Sequence, residues 1–403
     1  MKIIEGGVTS PKGFTAAGIH CGIRKNKTKK DLALVFSEVS ASVAAIYTQN
    51  LVYGAPIAVC RENLKNGIAR AMICNSGIAN TCNAGGVEIA REMCEITAKA
   101  LSVSANDIIV ASTGVIGQPL DLQPIAEGMS ALVAELSADG SQSAAEAIMT
   151  TDTVAKKLAV EFTVGGKRAV IGGMAKGSGM INPNMATMLG FLATDVDIKP
   201  ELLQNLLKQA ADHSFNRVSV DGDTSTNDML CIMANGQSGL SAAKGTEEYA
   251  AFAEALDLMC VSLSKMLAKD GEGATKLLEC IVRGAKTEQD GNRIADSIIN
   301  SSLVKTAMFG CDANWGRILC AIGYAGVVLD ANKVDVSLKS AAGEIAVCKN
   351  GAGVEFSEEK ALDILKCDEI VIDVTMCEGD CTCTAWGCDL SYDYVKINGD
   401  YRT

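Results

Sequence analysis

A chain of 403 residues, 48% of them hydrophobic, is too long for one small core and calls for two domains or two coupled layers. With 36 Lys and Arg against 48 Asp and Glu, the formal charge is -12, which argues against nucleic acid as a partner. No apolar run approaches a membrane span and the opening MKIIEGGVTSPKGF has no apolar h-region, so a soluble, cytoplasmic protein without membrane partners is expected.

Taken in chain order, the interrupted basic run Arg24 to Lys30 reads as a solvated loop, and Leu32 to Tyr47 as strand, turn, strand. Ala71 to Cys74 is a short buried strand. Val87, Ala90, Cys94, Ala98 and Leu101 fall at helical spacing. Asp107 to Ala111 predicts a buried strand that ends at Ser112-Thr113-Gly114. Helices are expected over Pro119 to Leu136 and Ser143 to Met149. Lys157 to Val164, Gly165-Gly166 and Lys167 to Ile171 carry a hairpin signal. Pro200 to His213 and Thr246 to Ala268 are amphipathic helices, and Ile294 to Val304 and Arg317 to Ala325 read as buried ones. Alternation returns in Val334 to Leu338, Glu344 to Cys348 and Ile370 to Met376, around a helix at Glu358 to Leu365. Mixed layers of this kind suit a four-layer α/β/β/α sandwich with a second, smaller C-terminal α/β domain.

Only two histidines are present, His20 and His213, so a Ser-His-Asp triad or a His-rich metal site has little to draw on. The 16 cysteines lie mostly in apolar contexts, where free Cys packs as a small hydrophobe. One group, Cys377, Cys381, Cys383 and Cys388, is spaced C-x3-C-x-C-x4-C, which matches neither zinc knuckles nor common iron–sulfur patterns and fits a strand bearing several Cys. No metal is expected.

Acyl chemistry that needs no histidine has a candidate in Lys176 to Gly190, KGSGMINPNMATMLG. Here a Gly- and Pro-containing loop delivers the Thr187 hydroxyl into an apolar stretch, beside the carbonyl of Ala186. Attack on that carbonyl would cut the chain and leave Thr187 with a free α-amine, whose pKa of about 8 suits a base near neutral pH. An ordinary strand start is the alternative. Ala111 to Gly117 ends a strand with a Thr hydroxyl and backbone N–H groups able to meet an oxyanion, or is a plain strand-to-helix turn. Met149 to Thr153 is a hydroxyl-rich turn or a cap. Asp221 to Asp228, DGDTSTND, looks like a calcium loop but lacks the late Glu and flanking helices of an EF-hand. Asp270 to Lys276, DGEGATK, sets Glu272 between glycines, either as a cradle for a small amine or as a solvated turn.

These strings, with NWGRILCAIGYAG and the terminal AWGCDLSYDYVKINGDYRT, resemble the ornithine acetyltransferase (glutamate N-acetyltransferase) family from Pro11 to Thr403. The resemblance implies an α/β/β/α sandwich similar to N-terminal-nucleophile (Ntn) hydrolases. It implies self-cleavage between Ala186 and Thr187 into fragments 1–186 and 187–403, both contributing to one sandwich and pairing as a heterotetramer. It also implies ping-pong transfer of acetyl from N-acetylornithine to glutamate in the cyclic route to arginine, without a cofactor, and with acetyl-CoA as a further donor in some members. By position, Thr187 matches the nucleophile, Thr113 and Gly114 the oxyanion pair, and Thr153, Lys176, Glu272, Asn398 and Thr403 substrate contacts. Charge suggests Glu272 for a substrate amine and Lys176 for a carboxylate. Ile78 in NSGIAN and Ala313 in CDANWGR depart from the family pattern, away from these groups. An aminopeptidase-like amidohydrolase on the same scaffold and a non-catalytic metal or redox module are the competing readings.

Overall fold

The computed structural model describes residues 1–182 and 188–400. In chain order its strands begin β1 (Lys2–Ile4), β2 (Phe14–Ile19), β3 (Leu32–Tyr47), β4 (Ile68–Ile78), β5 (Ile108–Val115), β6 (Lys156–Val164), β7 (Lys167–Lys176), β8 (Leu189–Thr194), β9 (Val218–Ser219) and β10 (Met229–Ala234). All but β9 form one sheet in the order β1-β6-β7-β8-β10-β3-β4-β5, with β2 also pairing β3. Then follow β11 (Leu277–Ala285), β12 (Asp335–Ser340), β13 (Gly343–Lys349), β14 (Ala352–Gly353), β15 (Glu369–Thr375) and β16 (Cys381–Cys388). With β9 these make a second sheet, β14-β13-β12-β15-β11-β16-β9. The molecule therefore has the mixed α/β class expected, built on two sheets.

The helices are α1 (Ala55–Asn63), α2 (Gly86–Leu101), α3 (Gln123–Ala134), α4 (Ser141–Ile148), α5 (Pro200–Asp212), α6 (Glu247–Lys269), α7 (Glu288–Asn300), α8 (Ser302–Phe309), α9 (Trp315–Gly323), α10 (Glu358–Leu365) and α11 (Tyr392–Gly399). Helices α1 to α4 pack against β2 to β5, and share their core. Helix α6 packs on β6 and β7 of the first sheet and on β9, β11 and β16 of the second. Strand alternation explains how the second sheet is covered on both faces. In β16, Trp386 and Cys388 join the core around α6, whereas Ala385 joins the separate core formed with α7 to α10. That second core holds the smaller C-terminal α/β unit together. Among the described residues, no helix is long and apolar enough to cross a membrane.

Local chemistry accounts for most boundaries. Gly165 (φ 55°) and Gly166 (φ 76°) both occupy the left-handed region, and so close the β6–β7 hairpin with the two-residue turn that suits strand twist. Thr246 caps α6 by accepting the Tyr249 N–H. The expected strand, turn, strand at Leu32 to Tyr47 is instead one long strand. Its pairing with β4 shifts register between Phe36 and Ala41, and the irregular stretch leaves Glu38, Val39 and Ser40 exposed. The expected helix Ile294 to Val304 is broken at Ser301, whose side chain caps α8 by accepting the Val304 N–H.

Gly173 on β7 lets α6 approach closely: a Cβ there would lie 2.6 Å from Leu192 and 3.2 Å from Leu263. Leu263 is fully buried at this contact. Truncation by Leu263→Ala is expected to lower the free energy of unfolding by about 2–5 kcal/mol, measured by urea denaturation.

Candidate active site

A cavity of about 290 Å³ opens where β5, β7, the 270–276 loop and α11 converge, and Thr113, Gly114, Lys176, Glu272, Asn398 and Asn227 are among its lining residues. Thr113 and Gly114 sit near the end of β5, opposite Ser76 and Gly77 of β4. Gly114 has φ 129°, and a Cβ on it would lie 2.2 Å from the Gly77 carbonyl carbon, so only glycine fits. Asn227 fixes this strand end. Its amide donates to Ala79 O (2.7 Å) and Ser112 O (2.9 Å), and its oxygen accepts from Thr81 and Thr226 hydroxyls at 2.6 Å each. Every polar atom of that side chain is committed, which holds the Thr113 backbone in place.

Lys176 ends β7 opposite Leu189, the first residue of β8. It is buried, and its Nζ donates to Thr113 Oγ1 at 3.4 Å. Burial pulls its ammonium pKa down, against the opposing attraction of Asp152, while neighbouring Lys156 adds to the lowering. Asp152 accepts from Lys156 Nζ and the Gly177 N–H at 2.7 Å each, and from the Thr150 N–H at 2.9 Å. Burial would raise this carboxyl, but the charges of Lys176 and Lys156 outweigh it and hold the group well below the usual carboxylate range.

Glu272 follows α6 in the 270–276 loop. Its N–H donates to Ser178 O at 2.7 Å, and its Oε2 accepts from Asn398 Nδ2 at 2.8 Å. A Cβ on Gly179 would lie 2.3 Å from Oε2, so the bare backbone there makes room for the carboxylate. A 9%-exposed carboxylate facing a partly apolar cavity is suited to an amine, and a buried ammonium across the site to an anion.

Five of the expected site residues, Thr113, Gly114, Lys176, Glu272 and Asn398, thus share one cavity. Thr153 does not line it. Its N–H and hydroxyl are bound to Asp270, and it faces a neighbouring depression of about 570 Å³ with Asp393 and Lys396. Ala186, Thr187 and Thr403 lie outside the described residues. Asn227 and Asp152 escaped sequence reasoning, although DGDTSTND and MTTDT flagged their strings; the Ala79 and Ser112 partners of Asn227 are distant in the chain, and the Lys156 and Gly177 partners of Asp152 carry no motif. The Cys377 to Cys388 group does not converge. Cys383 lies against Gly291 of α7, Cys388 against Gly271 at the end of α6, and Cys377 is exposed. His20 pairs with Asp31 at 3.0 Å, and exposed His213 with Asp257 at 3.5 Å.

The depressed Asp152 carboxyl makes stability depend on pH. A group whose folded value is lowered stabilises above its ordinary value near 4 and loses that contribution as pH falls through the folded value. Asp152→Asn also leaves Lys156 and Lys176 short of one anion. It is expected to cost about 3–5 kcal/mol at neutral pH, with the deficit shrinking below about pH 4, measured by urea titrations across pH.

A model of the ArgJ family matches residues 15–403. The arginine biosynthesis bifunctional protein ArgJ of Caldanaerobacter subterraneus subsp. tengcongensis is 49% identical over 405 residues, covering 100% of both chains. Its counterpart in Bacillus subtilis is 48% identical over 403 residues, covering 99% of this chain and 97% of its own. A crystal structure of the Bacillus halodurans protein of the same name is 45% identical with a TM-score of 0.51, covering 53% of this chain and 100% of that one. Near-complete coverage at this identity, on a mixed α/β fold, places the chain in the ArgJ family.

Proposed function

We propose that this acetyltransferase of arginine biosynthesis cuts itself between Ala186 and Thr187, then moves acetyl from N-acetylornithine to glutamate through an ester on Thr187. The observation that carries the reading is the meeting of Thr113-Gly114, Lys176, Glu272 and Asn398 in one cavity, beside Leu189, two residues after Thr187. In self-cleavage the Thr187 hydroxyl oxygen attacks the Ala186 carbonyl carbon, the C–N bond breaks, and the hydroxyl proton passes to the released nitrogen. Water then hydrolyses the ester, leaving an Ala186 carboxylate and a free Thr187 hydroxyl and amine.

In transfer, the Thr187 amine accepts the hydroxyl proton as the oxygen attacks the acetyl carbonyl. The Thr113 hydroxyl and Gly114 N–H stabilise the oxyanion, and Lys176, within reach of Thr113 Oγ1, adds positive charge there or holds a substrate carboxylate. Ornithine leaves with the proton. Glutamate enters, its amine attacks the ester carbon, and the Thr187 hydroxyl is restored. Glu272 holds the amine of the departing amino acid, with Asn398 orienting the carboxylate. Thr403 completes the substrate contacts in this reading, while Thr153, bound to Asp270, steadies the end of α6 instead, and acetyl-CoA serves as a second donor without any bound cofactor.

Fragments 1–186 and 187–403 remain together because β8 and β10 from the second lie between β7 and β3 from the first. Two of each form the assembly, in the cytoplasm.

A denaturing gel with N-terminal sequencing is expected to give two bands, one starting at Thr187, whereas Thr187→Ala gives one uncut, inactive chain. A single intact but active wild-type chain overturns the reading. Glu272→Gln removes the charge from a charge-assisted hydrogen bond and is expected to raise KM for N-acetylornithine by about 10- to 100-fold, with self-cleavage retained.

A further inference from the structure

The loop Asp221 to Asp228 is not accounted for by the transfer chemistry, yet its two terminal carboxylates have specific partners. Asp221 accepts the Met180 N–H at 2.5 Å through Oδ2 and the Ile181 N–H at 2.9 Å through Oδ1. Asp228 accepts the Met188 N–H at 2.8 Å through Oδ1. These three N–H groups flank the short stretch that contains the Ala186–Thr187 bond, on both sides. Further backbone bonds reinforce the grip: Val220 N donates to Ile181 O at 2.8 Å, and Met229 N to Met188 O at 3.1 Å. Met180 itself is held at φ 57°, a left-handed conformation that a side chain rarely adopts without such restraint.

The loop is in turn fixed to the body of the protein. The Thr48 N–H donates to Asp228 O at 3.0 Å, the Thr48 hydroxyl to Ser225 O at 2.8 Å, and the Gly54 N–H to Thr226 O at 2.9 Å. Between the two carboxylates, Asn227 binds the carbonyl of Ser112, the residue before Thr113. One eight-residue loop therefore sets both flanks of the cleavage stretch and the strand end that carries the oxyanion donors.

We infer that Asp221 and Asp228 are positioning residues for self-cleavage: they clamp the two flanks, Met180-Ile181 and Met188, of the stretch that holds the proposed scissile bond. This rests on the self-cleavage proposed above. Asp221 accepts backbone N–H groups through both oxygens, a task that an amide performs incompletely because one of its two heteroatoms is a donor, and at Asp228 an amide gives up the charge that strengthens the bond from Met188. Misplacement of about an ångström is enough to cost such a reaction about 100-fold.

The test follows the appearance of the fragment beginning at Thr187 in freshly purified full-length chain. Asp221→Asn and Asp228→Asn are expected to slow cutting by about tenfold or more, Asp221→Glu to cut faster than Asp221→Asn, and Asp223→Asn, at an exposed site in the same loop, to cut at the wild-type rate. The same substitutions in a Thr187→Ala background, which cannot cut, report their effect on Tm separately. Wild-type cutting rates in folded Asp221→Asn and Asp228→Asn, or rates across the set that simply follow Tm, overturn the clamp while leaving the self-cleavage reading intact. A wild-type chain that never cuts overturns that reading itself.

Discussion

The ammonium group of Lys156 is fully buried between two carboxylates, 2.7 Å from Asp152 and 2.5 Å from Asp270, and the site is assembled around it. A buried charge is tolerated only when paired and hydrogen-bonded, so the three groups cannot separate without a large penalty. Asp152 belongs to the turn before β6 and also grips the Gly177 N–H, directly after Lys176. Asp270 ends α6, two residues before Glu272, and also holds Thr153. Lys176 brings a second buried positive charge beside Asp152, so two lysines and two aspartates balance. The Lys176 and Glu272 sides of the cavity are thus referred to one ionic node, although a strand end and a helix–strand loop supply them.

Much of this arrangement is legible in the sequence where the cause is local. The Gly165-Gly166 hairpin, the amphipathic α5 and α6, and α10 at Glu358–Leu365 follow from turn chemistry and helical spacing. The length of β3 is not legible, because the polar Ser37 to Ser40 stretch reads as a turn until its irregular pairing with β4 is seen. The break at Ser301 is equally hidden: apolar spacing continues across it, and only the cap distinguishes two helices from one.

At the site, individual motifs announce themselves while their connections do not. Glycines around Glu272 and a Thr-Gly at the end of β5 suggest chemistry from residue type alone. That Asn227 reaches Ser112 and Ala79, or that Thr153 turns toward Asp270 rather than into the cavity, depends on contacts more than a hundred residues apart in the chain. Such pairings are decided by the packing of two sheets and leave no periodic trace.

The strand order β7-β8-β10-β3 has a consequence for the life history of the enzyme. In an intact chain, finding these neighbours is an intramolecular search. After a cut before β8, the same sheet joins two polypeptides, so reassembly from the unfolded state becomes a second-order encounter that slows on dilution. Under the proposed self-cleavage, folding must come first and severing second. An enzyme cut in the way proposed would be preserved chiefly by the slowness of its unfolding, since the single-chain route to the fold would be closed to it.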